Sequence, residues 1–271
     1  MPHPKTSRAT PLPREVLRLL ARESHSGIID VSRAASALRI GSKAAATLLG
    51  RYARRGWLSR LRPGLYLVLP LDASATRSTA VEDPWILAIE LFSPCYVGGW
   101  TAVEHWGLTE QIFRSTFVVS ARSVRSRAVR VGASEFRVAR VPQSRLRGTV
   151  TVWRGTERVR VSDPERTLVD ALIDPAWVGG LRHLVDVLIS YRESSRRDDK
   201  KLARTLEELA RGAAFKRIGF LAEHLWPDAK QLAALALKHR TSGVIKLDPS
   251  VKGRGRLDKR WGLWVNSTIS D

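Results

Sequence analysis

The sequence predicts an α+β chain in two parts: a small N-terminal unit of three helices and a hairpin, then a larger mixed α/β unit with a central sheet and several helices. Three observations predict this. Residues 41–70, GSKAAATLLGRYARRGWLSRLRPGLYLVLP, run from a basic amphipathic helix directly into strand, turn and strand. Apolar runs such as Phe117–Ser120, Phe136–Val141 and Thr149–Trp153 are short enough to be strands and are joined by Arg-rich connections. After Ser162-Asp163-Pro164-Glu165, a helix start with capping residues, an early Pro and an acid on the dipole, the spacing is helical almost to the end.

In order, residues 1–11 are Pro-rich and polar and read as a disordered arm carrying Lys5 and Arg8. The first helix spans about Pro13 to Glu23 with Val16, Leu17, Leu19 and Leu20 inward, and Gly27 breaks it. Ile28–Ile29 is a short apolar stub. Asp30 is a good N-cap for a second helix burying Val31, Ala34, Ala35 and Leu38. A tight turn at Ile40–Gly41 leads to Ser42, the expected N-cap of the third helix. There Ala45, Leu48, Leu49 and Tyr52 fall on one face at i, i+3, i+4 and i+7. The opposite face presents Lys43, Thr47, Gly50, Arg51 and Arg54, and Gly50 costs roughly 1 kcal/mol mid-helix against Ala. Trp57–Arg60 and Leu65–Leu69 are the two hairpin strands, turning at Arg62-Pro63-Gly64. This order is that of a winged helix-turn-helix, which sets one helix in the DNA major groove and a hairpin against the flanking phosphates.

The small polar run 71–82 marks the boundary, giving a winged-helix domain over 12–75 and an α/β domain over 76–271. Helices are expected over Pro84–Leu91 and Trp100–Trp106, and Ser93–Gly99 as a turn and short strand. The helix starting at Ser162–Glu165 is expected to bury Leu168, Val169 and Leu172, and further helices are expected at about Leu181–Tyr191, Lys201–Arg211, Phe215–Leu225 and Lys230–Lys238. A closing strand, Trp261–Val265, is expected to return to the sheet, and Arg192–Lys201 reads as a solvated connector.

Charge narrows the function. The 271 residues carry 46 Lys and Arg against 26 Asp and Glu, a formal +20. Residues 1–80 are +10 and 114–160 are +10, flanking an acidic segment 81–113 at −5. Two separated basic blocks favour a polyanion. A membrane is excluded on hydropathy, since no run of about 18 apolar residues occurs and the N-terminus lacks a signal-peptide core, so the chain reads as cytoplasmic. One cysteine, Cys95, excludes an internal disulfide and a multi-cysteine metal site.

Four segments in order, RRGWLSRLRPGLYLVLP, YVGGWTAVEHWGLT, VSDPERTLVDAL and LDPSVKGRGRLDKRWGLWVN, give the chain after residue 12 a resemblance to the antitoxins of type IV toxin–antitoxin systems, the AbiEi-like abortive-infection family. The resemblance implies a winged helix that represses its own operon and a larger domain that counters a nucleotidyltransferase-like toxin. It leaves open whether the two proteins touch. Its implied partners are double-stranded operator DNA, with repeats upstream of the operon, and that toxin, with no cofactor.

The residues expected to touch DNA are Ser42, Lys43, Thr47, Arg51 and Arg54 on the third helix and Arg60 and Arg62 on the wing. Lys43 and Thr47 are placed for base edges and the other arginines for phosphates. Arg122, Arg125 and Arg127 mark a second basic surface, for DNA flank, tRNA or a nucleotide-handling toxin. Tyr52, Trp57, Leu65, Tyr66, Trp85, Trp100 and Trp106 read as core filling rather than base-stacking residues. In the second part Thr101, Glu104, His105, Ser162, Asp163, Glu165 and Arg166 are the chemically able residues. A base at His105 oriented by Glu104 is poorly arranged, because adjacent helical side chains diverge by about 100°. No catalytic or metal-ligating residue is assigned. The competing readings are a winged-helix-targeted nuclease or nucleotide-transferring enzyme, for which Asp198-Asp199-Lys200 and Asp228-Ala229-Lys230 match only in letters, and a ligand-sensing transcription factor.

Overall fold

The computed structural model describes residues 13–24, 27–69, 83–124, 126–131, 133–226 and 228–269. The expected arm over 1–11, with Lys5 and Arg8, and the expected boundary segment 71–82 lie outside the described residues. The chain divides into two compact units, one ending at Leu91 and the other beginning at Phe92.

In the first unit the order is α1 (Pro13–Glu23), β1 (Ile28–Asp30), α2 (Val31–Leu38), α3 (Ser42–Arg54), β2 (Leu58–Arg62) and β3 (Leu65–Val68), followed by α4 (Pro84–Phe92). The apolar stub Ile28–Ile29 is thus a strand. It pairs antiparallel with β3, Ile29 opposite Tyr66, so the hairpin becomes a three-stranded sheet of order β1-β3-β2. Central placement changes the reading of β3. Instead of one inward row, all four residues from Leu65 to Val68 are buried. Tyr66 and Val68 join Leu17, Leu20, Ala34, Ala45, Leu49, Tyr52 and Leu58 in one cluster beneath the helices. Burying apolar area at about 25 cal/mol per Å² is what holds so small a unit together. Asp30 caps α2 as expected, its Oδ1 accepting from the Arg33 N–H at 2.8 Å. On α3 the cap is Gly41, and Ser42 is the first helical residue, with no side-chain cap bond.

In the second unit β4 (Cys95–Val97), β5 (Ser115–Ser120), β6 (Ala128–Val131), β7 (Ser134–Arg140), β8 (Thr149–Arg154) and β9 (Glu157–Ser162) form one mixed sheet of order β6-β7-β5-β4-β9-β8. β5 and β7 run parallel, as do β4 and β9, while the other neighbours are antiparallel. Between β4 and β5 comes α5 (Gly99–His105). After the sheet follow α6 (Pro164–Ile173), α7 (Leu181–Glu193), α8 (Asp199–Leu209), α9 (Gly212–Leu225) and α10 (Lys230–His239). α6 is the hub: Glu165 through Leu172 are all buried, not only the Leu168, Val169 and Leu172 face. Arg217 of α9 caps its far end, donating to the Leu172 and Ile173 carbonyls at 2.9 and 3.1 Å.

The closing strand does not return to the large sheet. β12 (Leu263–Val265) lies between β10 (Ile245–Lys246) and β11 (Arg256–Asp258) in a separate three-stranded sheet. Trp261, fully buried, packs there against α9 at Gly219.

Candidate nucleic-acid interface

α3 sorts its side chains as the 3.6-residue period requires. Ala45, Leu49 and Tyr52 are buried, Leu48 is half-buried, and Ser42, Lys43, Thr47, Arg51 and Arg54 are all exposed. The five expected contact residues therefore share a solvent face, backed by a core that fixes the helix from behind. Within that face the Thr47 hydroxyl donates to the Lys43 carbonyl at 3.0 Å. Its remaining lone pairs are free to accept. Gly50 lies on the same face, and a Cβ built there would meet nothing within 4 Å.

The hairpin beyond α3 is tight. Arg60 pairs with Tyr66 and Arg62 with Leu65, with a register slip between the two arginines, so only Pro63 and Gly64 make the turn. Pro fixes the first position and Gly64 takes φ +80°, which an L side chain resists. Arg60 is exposed and Arg62 half-buried. Arg55, just past α3, lies over the Trp57 ring at 5.3 Å, and Trp57 in turn meets Tyr52 edge-on.

One cation in this unit carries no mark in the sequence. Arg39 ends α2 with φ +52°, its N–H turned back to the Ala35 and Ser36 carbonyls, and its side chain is exposed in the turn that leads into α3. A non-glycine residue with positive φ is uncommon and costs energy that the surrounding turn must offset. No sequence signal distinguishes Arg39 from the other arginines, because glycine or asparagine is the usual sign of that backbone state.

In the second unit the chemically able residues of α6 form two buried clusters. Asp163 caps the helix, accepting from the Arg166 N–H at 2.8 Å. Arg166 and Asp170, each 1% exposed, pair at 2.9 Å. The Tyr96 hydroxyl completes this cluster, donating to Asp170 Oδ2 at 2.6 Å and accepting from Arg166 Nη2 at 2.7 Å. Arg166 also donates to the Arg145 and Arg147 carbonyls. One turn away Lys201 holds Asp163 at 3.1 Å and Glu165 at 2.6 Å, and Tyr191 donates to Glu165 at 2.8 Å. Burial works against the Arg166 charge, yet Asp170 and Tyr96 hold its guanidinium above the ordinary value. Burial pushes the Asp170 carboxyl up against the pull of Arg166, and drives the Tyr96 phenol well above its usual range. Each tyrosine donates to one α6 carboxylate that a cation also holds, an arrangement that locks α6 to the sheet, to α7 and to α8.

The remaining candidates separate. Thr101 accepts from the Phe117 N–H at 2.8 Å and ties α5 to β5. Ser162 Oγ lies 2.7 Å from Thr167 Oγ1 inside the α6 start. Glu104 and His105 are both exposed, and the His105 ring meets Trp106 edge-on at 4.6 Å. Burial, with Arg154 and Arg196 nearby, lowers the His105 pKa. Burial also pushes the Cys95 thiol up to about 12, which leaves it un-ionised and unreactive at neutral pH.

The two acid–x–Lys letter matches are absorbed locally. Asp198 caps α8, accepting from the Lys201 N–H at 2.8 Å, and Arg197 clamps Asp199 at 2.7 Å and Asp228 at 2.8 Å. The stretch 192–201 is largely solvent-exposed, as expected of a connector, and Arg197 ties it by ion pairs to Asp199 and Asp228. Among the described residues no three His, Cys, Asp or Glu side chains converge as metal ligands, and no helix is long and apolar enough to cross a membrane. Of the second basic surface, Arg127 is exposed, Arg122 half-buried, and Arg125 outside the described residues.

Residues 96–224 match the family model of the AbiEi antitoxin C-terminal domain. No curated protein matches the chain. Among solved structures, the crystal structure of the RV2827C protein from Mycobacterium tuberculosis is similar in fold, with a TM-score of 0.59 at 18% identity, covering 92% of this chain and 89% of that one.

Proposed function

From the match of residues 96–224 to the AbiEi antitoxin C-terminal domain we propose that the chain is an AbiEi-like, DNA-binding antitoxin that represses its own operon through α3 and the hairpin. The observation that carries the DNA reading is the α3 face: five polar or basic residues exposed together over a helix whose other face is core. In this reading residues 12–75 act as a winged helix-turn-helix. Lys43 and Thr47, near the helix start, reach base edges, while Arg51, Arg54, Arg60 and Arg62 hold phosphates. The second unit counters a nucleotidyltransferase-like toxin, and its Arg122, Arg125 and Arg127 form an added polyanion surface. No catalysis is assigned to it.

The test is binding to the chain's own upstream intergenic DNA against scrambled DNA, across about 50 to 200 mM salt. The upstream DNA is expected to win by roughly a hundredfold or more. Lys43→Ala/Thr47→Ala should relax that preference, and Arg60→Ala/Arg62→Ala should flatten the salt slope by about 0.9 for each phosphate no longer neutralised. Equal binding of wild type to both DNAs would reduce the charge to a polyanion handle and end the repressor reading.

A further inference from the structure

The second unit holds a cavity of about 540 Å³ on one face of its large sheet. Partner positions in a sheet share a face, so the pairing of Phe117 with Arg137 and of Ala128 with Arg137 brings an aromatic ring and the end of β6 beside one guanidinium. Around them the wall is Trp100 from α5, Trp177 from the short turn after α6, and Arg127 and Arg140. One carboxylate also lines it, Asp174, which spends its Oδ1 on the Ala176 N–H at 3.1 Å.

The aromatic side of this wall is rigid. The Trp100 indole N–H is tied to the Ser115 carbonyl at 2.7 Å, and its ring stacks on Phe113 at 5.4 Å and 15°. Phe117 stands between the two tryptophans, 4.8 Å from Trp100 and 5.4 Å from Trp177. Both indoles remain half-exposed, unlike the buried filling expected of Trp100. On the other side Arg137, opposite Phe117, is exposed, and the exposed Arg127 and Arg140, on the alternate row of the register, line the rim.

We propose that this pocket binds one nucleotide, its base against the Trp100–Phe117–Trp177 wall and its phosphate on Arg137, with Arg127 and Arg140 at the rim. A bare phosphate site has no use for three aromatic rings. A purely apolar ligand would desolvate the Arg137 guanidinium without giving it a partner. Only a ligand with a flat π face joined to an anion uses both halves, through stacking and charge-assisted hydrogen bonds. The nucleotide is either free or the terminal unit of a single strand, since both offer the same chemistry. The pocket shares Arg127 with the second basic surface but no residue with α3 or its hairpin, so the preference for upstream DNA is tested separately from it.

Calorimetric titration of the full chain tests it, with the four ribonucleoside triphosphates, a single-stranded RNA of about five nucleotides, inorganic tripolyphosphate and adenosine as probes. At least one nucleotide or the short strand is expected to bind roughly tenfold or more tighter than tripolyphosphate. Arg137→Glu, at an exposed position, and Trp177→Leu should each weaken that binding by about tenfold or more. A mononucleotide that binds identifies the free form, and a strand that binds where mononucleotides do not identifies the terminal unit. Tripolyphosphate as tight as every nucleotide, no binding by any probe, or unchanged binding in Arg137→Glu would each overturn the proposal. Upstream-DNA binding read on Arg137→Glu should stay at the wild-type level. Its absence in wild type would sink the repressor reading and leave the pocket standing.

Discussion

Arg166 and Asp170 lie four residues apart on α6, and each is nearly inaccessible to water. Two such charges gain from each other only while both are present; removing one leaves an uncompensated buried charge. Arg166→Met should therefore cost about 3–5 kcal/mol in urea unfolding at neutral pH. The loss should shrink in acid. Burial already pushes the Asp170 carboxyl above its ordinary value, and without Arg166 it rises further. A carboxyl raised in the folded state favours folding below its unfolded pKa and loses that contribution as pH climbs through the folded value. A cost under about 1 kcal/mol, or one independent of pH, would show that α6 does not depend on this pair. His105 works with the opposite slope. Its pKa is lowered first by burial, then by Arg154 and Arg196, so its contribution is full above its unfolded pKa of 6.5 and is lost as pH falls through the folded value. The melting temperature of His105→Gln, followed from pH 7.5 to 5, should fall less on the acid side than that of wild type. Parallel curves would mean that His105 feels neither its burial nor the arginines.

Two helical glycines separate what an element tolerates from what it requires. On α3 a Cβ at Gly50 enters open space, so Gly50→Ala should stabilise the chain by about 0.5–1 kcal/mol through helix propensity alone. If the glycine lets a phosphate backbone approach closely, the same variant will bind upstream DNA more weakly while melting higher, a split that a stability assay alone would miss. On α9 a Cβ at Gly219 would run into the Trp261 ring, which is fully buried. Gly219→Ala should lose about 1–3 kcal/mol or more, read in the same denaturation assay. These helices were legible in the sequence: α1 has the bounds read from its apolar spacing, Asp30 and Asp163 cap where expected, and the α3 face follows from a period that backbone geometry imposes. What escaped has two causes. β1 is three residues long, β6 alternates valine with arginine at a sheet edge, and β9 carries Arg158 and Arg160 on its outward row. β1 is too short to show a period, whereas the Val/Arg alternation of β6 and β9 is a period-2 strand signal that reads as a charge run when only its arginines are counted. The nucleotide pocket was illegible for another reason. Trp100, Phe117, Arg137 and Trp177 come from four elements, and only strand register and the turn after α6 bring them together.

Across the whole molecule the +20 charge falls in two blocks, one of which, residues 114–160, lies entirely in the second unit. Neutralised phosphates give affinity without sequence information, and base recognition gives the preference. If the blocks divide these tasks, they must be separable by charge reversal. Arg122→Glu/Arg125→Glu/Arg127→Glu takes the net charge from +20 to +14 without touching α3 or its hairpin. Binding to scrambled DNA should then fall and its salt slope become shallower by about 0.9 for each phosphate the surface no longer neutralises. The ratio of upstream to scrambled affinity should hold or rise, since only the sequence-blind part has been removed. Neutralisation of the toxin, scored in the same variant as rescue of growth, reports whether this surface also serves the antitoxin task. Full DNA binding together with full rescue would eliminate the second basic surface as a polyanion site. A collapse of the upstream preference would instead mean that the second unit helps to read sequence, which moves specificity away from α3.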